Sequence, residues 1–431
     1  MNIDKKFKEK CINIEEAAKL IKSGDTIVSG HACASPEPVL DEIAKRADEL
    51  SNVKIVHVLS FGKLEYCKPE LEKSFHHISL FGTKNSRDAI NKGRSDFISC
   101  FFNEVPELFR DKSIPVDVAI ISVSLPDEDG NCSLGLSVDY TYEAAMSAKV
   151  VIAEVSPHMP RTMGSYSINI DKIDHLIPSN RKMIEVSRPV IGDVEKKIGY
   201  NAAGLIKDED CLQIGIGAIP EAVLSFLDDK KDLSIHSEMI SDGVMDLVEK
   251  GVINSSKKTL HPSKIVLTFA MGTEKFYQWM DNNPMIEMYP VDYINDPFII
   301  AQNDNLVSIN SAISVDLLGQ VSADSIGPYQ YSGVGGQVDF VRGAKRSKGG
   351  RSIIALPATA AKGTCSRIVA ALDRGQSVTT SRNDVDYIVT EYGVASLHGK
   401  TIKERARQLI NIAAPEYREN LEKEFHELYF K

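Results

Sequence analysis

Two stretches of the chain read alike: Ala17–Leu40, AAKLIKSGDTIVSGHACASPEPVL, and Ala202–Leu224, AAGLIKDEDCLQIGIGAIPEAVL. Ala17, Ala18, Leu20, Ile21, Lys22, Asp25 and Gly30 match Ala202, Ala203, Leu205, Ile206, Lys207, Asp210 and Gly215. After a one-residue gap, Pro36, Glu37, Val39 and Leu40 match Pro220, Glu221, Val223 and Leu224. Two unrelated strand–turn–helix units would share part of this run, but not all of it, so an internal duplication is expected. Each copy reads as a helix end, a turn, a short strand, a glycine-containing turn and another helix. The strands are expected at Thr26–Ser29 and Cys211–Ile214, short runs bounded by Asp and Gly.

Working outward, a second strand-like run follows in each copy, VKIVHVLS from Val53 and LSIHSEMI from Leu233. Further apolar runs (VDVAIISVS, VVIAEVS, KIVLTFAMG, RSIIALPAT, DYIVTEYG) alternate with helical or loop segments. Alternation of this kind predicts an α/β protein made of two related open α/β domains with mostly parallel sheets. A length of 431 residues also exceeds one ordinary core. The segment SRPVIGDVEKKIG reads as the connection, which places the domains at 1–190 and 191–431. The tail, TIKERARQLINIAA and then YRENLEKEFHELYF after a break at Pro415, reads as two helices.

Composition removes several function classes. The chain is 43% hydrophobic and 26% charged, and none of its apolar runs approaches the roughly 20 residues that span a bilayer. Its start, MNIDKKFKEK, is charged and unlike a secretory signal, so a cytoplasmic protein without membrane association is expected. The seven cysteines (Cys11, Cys33, Cys67, Cys100, Cys132, Cys211, Cys365) are odd in number and form no CxxC pair. That spacing argues against a disulfide framework and a zinc site, and for a reducing compartment; no metal is expected. A net charge of −10 leaves no basic footprint for nucleic acid, although a local site could still hold an anion.

Four stretches of the second half could carry chemistry. Gly215-Ile216-Gly217-Ala218-Ile219-Pro220 lies between a strand and a helix, where glycines admit a close ligand and a helix start offers N–H groups. Pro220 replaces the third glycine of a dinucleotide motif, and the turn could equally be structural. Ser237-Glu238-Met239-Ile240-Ser241-Asp242-Gly243 closes the next expected strand, and Asp242 is expected to cap the following helix. Carboxyl ends of parallel strands hold ligands in open α/β sheets. Glu238 is therefore either a reacting carboxylate or a solvated one, and its approximate counterpart in the first copy is Val58. Ser332-Gly333-Val334-Gly335-Gly336 precedes the densest basic run, Arg342, Lys345, Arg346, Lys348 and Arg351, which suits phosphates or a solvated loop. Asn310-Ser311-Ala312-Ile313 reads as a strand entering a turn.

Together the stretches GIGAIPEAV, SEMISDGV, NSAISVDLLGQV, YSGVGGQVDFVRGA and EYGVASLHGKTIKERARQLINIA resemble the acetyl-CoA hydrolase/transferase family of coenzyme A transferases, over nearly the full chain. The resemblance implies two related α/β domains, agreeing with the repeat. It implies a nucleophilic glutamate at Glu238 and a coenzyme A loop at Gly215, Ile216, Gly217, Ala218 and Ile219. Further coenzyme A contacts are expected at Ile313, Gly335, Gly336 and Lys362, with His31 and Asn85 as candidates for the acyl group. No permanently bound cofactor is expected. The resemblance also implies coenzyme A as co-substrate and covalent intermediate, acyl-CoA and short-chain carboxylates as partners, and a homo-oligomer, expected to be a dimer. The branch most resembled acts on 4-hydroxybutyrate; butyrate–acetate exchange and acyl-CoA hydrolysis remain as alternatives. A carboxylate, which can become an anhydride and then a thioester, suits covalent carriage of coenzyme A. A reactive anhydride would also require water to be excluded, which gives a closing two-domain site a purpose.

Overall fold

The two short runs of the repeat form strands at the expected residues. In the computed structural model, which describes residues 3–430, Thr26–Ser29 and Cys211–Ile214 are each buried along their whole length. Burial on both faces explains why neither run shows the alternation of a half-exposed strand. The chain forms two compact units, Met1–Ser187 with Val266–Ile294, and Arg188–Ile265 with Asn295–Lys431. A cut at 190/191 thus differs from the contact units at residues 188–190, which belong to the second unit, and in one longer segment. Residues 266–294, read from sequence as part of the second domain, pack with the first unit.

The first unit is built on a seven-stranded, wholly parallel sheet. Its spatial order is Ser95–Phe97, Phe75–Ser79, Val53–His57, Thr26–Ser29, Val118–Val123, Val150–Val155 and His175–Pro178. Parallel neighbours require crossover connections, which here include the helix Glu37–Ala44. Its Val39, Leu40 and Ile43 pack on Ile27, Ile55 and Ile120 of the sheet.

The second unit is built on a six-stranded sheet in the order Ser234–Ile235, Cys211–Ile214, Leu306–Ser311, Arg351–Ala355, Tyr387–Thr390 and Gly393–Ser396. All neighbours are parallel except the last pair, a hairpin at one edge. The two tail helices form at Ile402–Ile412 and Arg418–Tyr429. They bury Leu409, Ile412, Leu421 and Phe425 with Val315, Leu356 and Ile388, so the tail belongs to this core. Among the described residues no helix is long and apolar enough to cross a membrane.

The repeat also holds at the level of hydrogen bonds. Asp25 Oδ2 accepts from the Lys22 N–H at 2.7 Å, and Asp210 Oδ2 accepts from the Lys207 N–H at 2.6 Å. The Asp25 carbonyl accepts from the Lys54 N–H at 2.8 Å, and the Asp210 carbonyl from the Ser234 N–H at 2.9 Å. In the ladders Thr26 faces Lys54 and Cys211 faces Ser234, so both copies start in the same register.

Candidate active site

In the second unit the expected site residues gather at the carboxyl ends of parallel strands. Cys211–Ile214 lies between Ser234–Ile235 and Leu306–Ser311, with Ile214 facing Ile309. The glycine turn, the Glu238 segment and the Ile313 loop therefore leave the sheet side by side, where open α/β sheets bind ligands.

The segment LSIHSEMI, read from sequence as one strand, is broken. Its strand residues are Ser234–Ile235 and Met239–Ile240, and Glu238 occupies a bend between them. Ser237 causes the break. Its hydroxyl accepts from the Ile214 N–H at 3.2 Å and has the carbonyls of Met239 (2.7 Å) and Ile214 (3.0 Å) within donating distance. A side chain thus takes over ladder partners that backbone would otherwise supply, and the next residue is turned out of the sheet. Glu238 is half-buried between fully buried neighbours.

The Asn295 amide and the Gly336 backbone both lie against the Glu238 carboxylate. Oε2 accepts from the Asn295 amide at 2.6 Å. Asn295 is completely buried and lies just ahead of the helix Pro297–Ile300. Only its N–H₂ end can face an ionised carboxylate, which has no proton to give. The amide's other end, Oδ1, is buried without a hydrogen-bond partner. Such an orphan costs about 1–3 kcal/mol, so this amide is aimed at the carboxylate at the expense of stability. Gly336 forms the second wall. A methyl group there would overlap Glu238 Oε2 and Asn295 Nδ2, so the carboxylate rests directly on backbone. Gly336 is also the N-cap of the helix Gln337–Arg346, whose positive end favours negative charge beside it. Gly335 holds φ at +55°, a left-handed conformation that glycine adopts freely.

The glycine turn is open. Methyl groups at Gly215 or Gly217 would meet nothing within 4 Å, and Gly217 has φ +121°, outside the range of other residues. Ile216 is 38% exposed, and the helix Ala218–Leu224 starts directly after Gly217 with Ala218 and Ile219 half-buried. Ile313 follows its strand and is half-buried; the Arg367 guanidinium donates to the carbonyls of Ala312 (3.3 Å) and Ile313 (3.2 Å). Lys362 stands exposed with φ +59° on the connection between Thr359–Ala360 and Cys365–Ser366.

Several sequence expectations change here. The basic run is largely engaged inside the chain: Arg342 pairs with Asp384, Lys348 with Asp304 and Arg351 with Asp210, while Lys345 bonds the Asn383 carbonyl. Arg346 stacks over Phe298. Ser241, not Asp242, is the N-cap of the helix Asp242–Glu249, and its hydroxyl is directed at Glu221 instead of the helix start. Asp242 is the first helical residue, buried 3.7 Å from Arg188.

His31 and Asn85 belong to the first unit. His31 is buried, with Phe102, Tyr140 and Phe269 around its ring. Its Nδ1 lies 2.9 Å from Asp139 Oδ2. Burial pushes Asp139 upward, but His31, Ser137 and Thr141 together hold it below the usual carboxylate range. An ionised Asp139 can only accept, so Nδ1 carries the proton and Nε2 is the nitrogen left for other work. Asn85 is exposed and donates to the Gly62 carbonyl at 2.7 Å. Asn295, Ser237 and Asp139 had no sequence signal, since each acts through a partner that folding brings to it.

The chain is similar to known proteins over nearly its whole length. The acetyl-CoA hydrolase/transferase N-terminal domain model matches residues 1–187, and the C-terminal domain model matches 272–425. The chain is 56% identical to a 4-hydroxybutyrate coenzyme A transferase of Clostridium kluyveri, over 97% of this chain and 98% of that one. It is 45% identical to a succinyl-CoA:cyclohexane-1-carboxylate CoA transferase of Geobacter metallireducens, over 97% and 95%. The crystal structure of a 4-hydroxybutyrate CoA-transferase from Porphyromonas gingivalis superposes with a TM-score of 0.85 at 43% identity, covering 99% of this chain and 100% of that one.

Proposed function

Because the chain belongs to the acetyl-CoA hydrolase/transferase family and is a coenzyme A transferase, we propose that it moves coenzyme A between acetyl-CoA or butyryl-CoA and 4-hydroxybutyrate, with Glu238 as covalent carrier. The observation that carries the reading is the Glu238 carboxylate, whose Oε2 accepts from the Asn295 amide and rests against the Gly336 backbone.

In this reading Oε1 of Glu238 attacks the thioester carbonyl and expels coenzyme A thiolate, leaving a mixed anhydride, while Oε2 stays beside the Asn295 amide. The thiolate attacks the glutamyl carbonyl and expels the first acid, leaving a glutamyl-CoA thioester. The incoming carboxylate attacks that thioester and expels the thiolate, which then attacks the new acyl carbonyl and frees Glu238. Bonds and charges balance without an added proton, metal or oxidant. When the glutamyl carbon is tetrahedral, its oxyanion is Oε2, already facing the Asn295 N–H. Loss of one such donor typically costs about 3–4 kcal/mol of transition-state stabilisation. The N–H groups of the Gly215–Ala218 turn are the candidates for the acyl oxyanion. The open side of that turn is where we assign the pantetheine arm, with Ile313, Gly335, Gly336 and Lys362 as further candidate contacts.

Identity of 56% with a 4-hydroxybutyrate transferase supports that acceptor. A relative at 45% acts on a cyclic acid, so family membership alone does not set it. His31 Nε2, with Nδ1 committed to Asp139, is the donor or acceptor we assign to the acceptor's hydroxyl end, and Asn85 is the second candidate.

The test is intact-protein mass measurement after adding butyryl-CoA without acceptor acid. A coenzyme A adduct mapped to Glu238 is expected; steady thioester loss without adduct would instead indicate hydrolysis. Exchange rates with acetate, butyrate and 4-hydroxybutyrate then rank the acceptors.

A further inference from the structure

The duplication supplies an internal comparison for the backbone around Glu238. Glu37 and Glu221 are matched residues of the repeat, each in the first turn of its helix. Glu37 Oε1 accepts from the Ser60 hydroxyl at 2.6 Å, and Glu221 Oε1 accepts from the Ser241 hydroxyl at 2.9 Å. Two residues further on, a methyl group at Gly62 would overlap the Glu37 carboxylate, and one at Gly243 would overlap the Glu221 carboxylate. The same clasp of glutamate, serine and glycine therefore ties the helix to the segment after the next strand in both units.

The path into the clasp differs. Lys54 and Ser234 hold equivalent ladder positions, yet Ser241 lies one residue further from Ser234 than Ser60 lies from Lys54. That extra residue falls in the broken stretch that carries Glu238. Fixed at Ser237 by Ile214 and at Ser241 by Glu221, the excess chain has to bulge between them.

We propose that Glu221 is a positioning residue for the nucleophile: through Ser241 and Gly243 it holds the bulge that projects Glu238, and it links that bulge to the helix following the glycine turn. The inference rests on Glu238 being the nucleophile. Arg188 supports the clasp from outside. It bonds Asp246 at 2.5 and 2.9 Å and lies 3.7 Å from Asp242, so the buried Asp242 faces a cation that a second acid holds in place. Burial pushes the Glu221 carboxyl above its ordinary range, against the Ser241 bond and the Arg188 charge, as befits an enclosed group.

The experiment compares Glu221→Ala, Glu221→Gln and Glu37→Ala with the unmodified protein, reading glutamyl adduct formation, kcat, KM for acyl-CoA and melting temperature. Glu221→Ala is expected to slow adduct formation and kcat by about 10- to 100-fold, the scale for a nucleophile displaced by roughly an ångström, with KM changed less than threefold. Glu221→Gln keeps an acceptor for Ser241 and is expected to recover part of the loss. Glu37→Ala is expected to lower the melting temperature while leaving adduct formation within about twofold. Equal kinetic effects of Glu37→Ala and Glu221→Ala, or Glu221→Ala losing only melting temperature, would overturn the positioning role. Absence of an adduct in the unmodified protein would instead overturn the covalent role of Glu238.

Discussion

Two strand-to-clasp connections, 54–60 in the first unit and 234–241 in the second, begin at equivalent ladder positions and end on equivalent serines. In the first, the strand runs unbroken to His57, which is fully buried and pairs with Ser79 of the next strand. In the second, the strand stops at Ile235, and Ser237, at the ladder position of His57, bonds the neighbouring strand through its hydroxyl. One added residue converts a closed strand end into a bend that presents a carboxylate. The frame is common to both copies, and the proposed nucleophile sits where the second has slack.

The hardest way to break this comparison is to remove the carboxylate. Glu238→Gln keeps shape and the Asn295 contact but cannot form an anhydride, so exchange should fall by about 10⁴-fold or more, with the melting temperature nearly unchanged. Exchange at a tenth of the original rate would mean that the bend carries no nucleophile. Next in size is Asn295→Ala, which removes the donor to Oε2. A kcat loss of about 10²- to 10³-fold is expected, with a small change in KM, since the bond strengthens as the oxyanion forms. A loss confined to KM would show the amide to be a ground-state contact only.

A matched pair of substitutions sharpens the comparison. Gly336→Ala puts a methyl group into the Glu238 carboxylate, and Gly62→Ala puts one into the Glu37 carboxylate. Both should destabilise, by about 1–3 kcal/mol for an overpacked site. Only Gly336→Ala should also displace the reacting oxygen and lower kcat, by about 10-fold or more. Denaturant midpoints and kcat for the two variants decide this; a comparable kcat loss in Gly62→Ala would remove the distinction between the units.

What the sequence made legible was local. Thr26–Ser29 and Cys211–Ile214 could be read because strands buried on both faces are short apolar runs, and turn residues bound them on each side. The glycine turn was legible for the same reason, and Glu238 because the repeat and the family motif marked it. What stayed hidden depends on distance along the chain. Asn295 reaches Glu238 across 57 positions, and Asp139 reaches His31 across 108. Nothing in the runs around Val266–Ile294 marks that segment as part of the first unit. Charge spacing likewise cannot show that Asp210, Asp304 and Asp384 pair with the basic run.

The smallest effect concerns what the first unit keeps closed. His57 and His77 are fully buried with ring centroids 4.5 Å apart, and His57 Nε2 lies 2.8 Å from the Tyr66 hydroxyl. Burial, only partly offset by the Val58 carbonyl, pushes His57 down to about 4, and burial together with the His57 charge holds His77 well below its ordinary value. The unfolded chain takes up a proton on each near pH 6.5, whereas the folded unit takes one up on His57 only near pH 4. Stability from the neutral pair is therefore complete above about pH 6.5 and is lost as pH falls toward 4. The one tryptophan, Trp279, stacks on Phe276 within the first unit and reports its unfolding separately. Its fluorescence midpoint should fall between pH 7 and pH 4.5, and His57→Gln should flatten that slope while lowering the midpoint at pH 7. An unchanged slope in His57→Gln would place the acid sensitivity outside this buried pair.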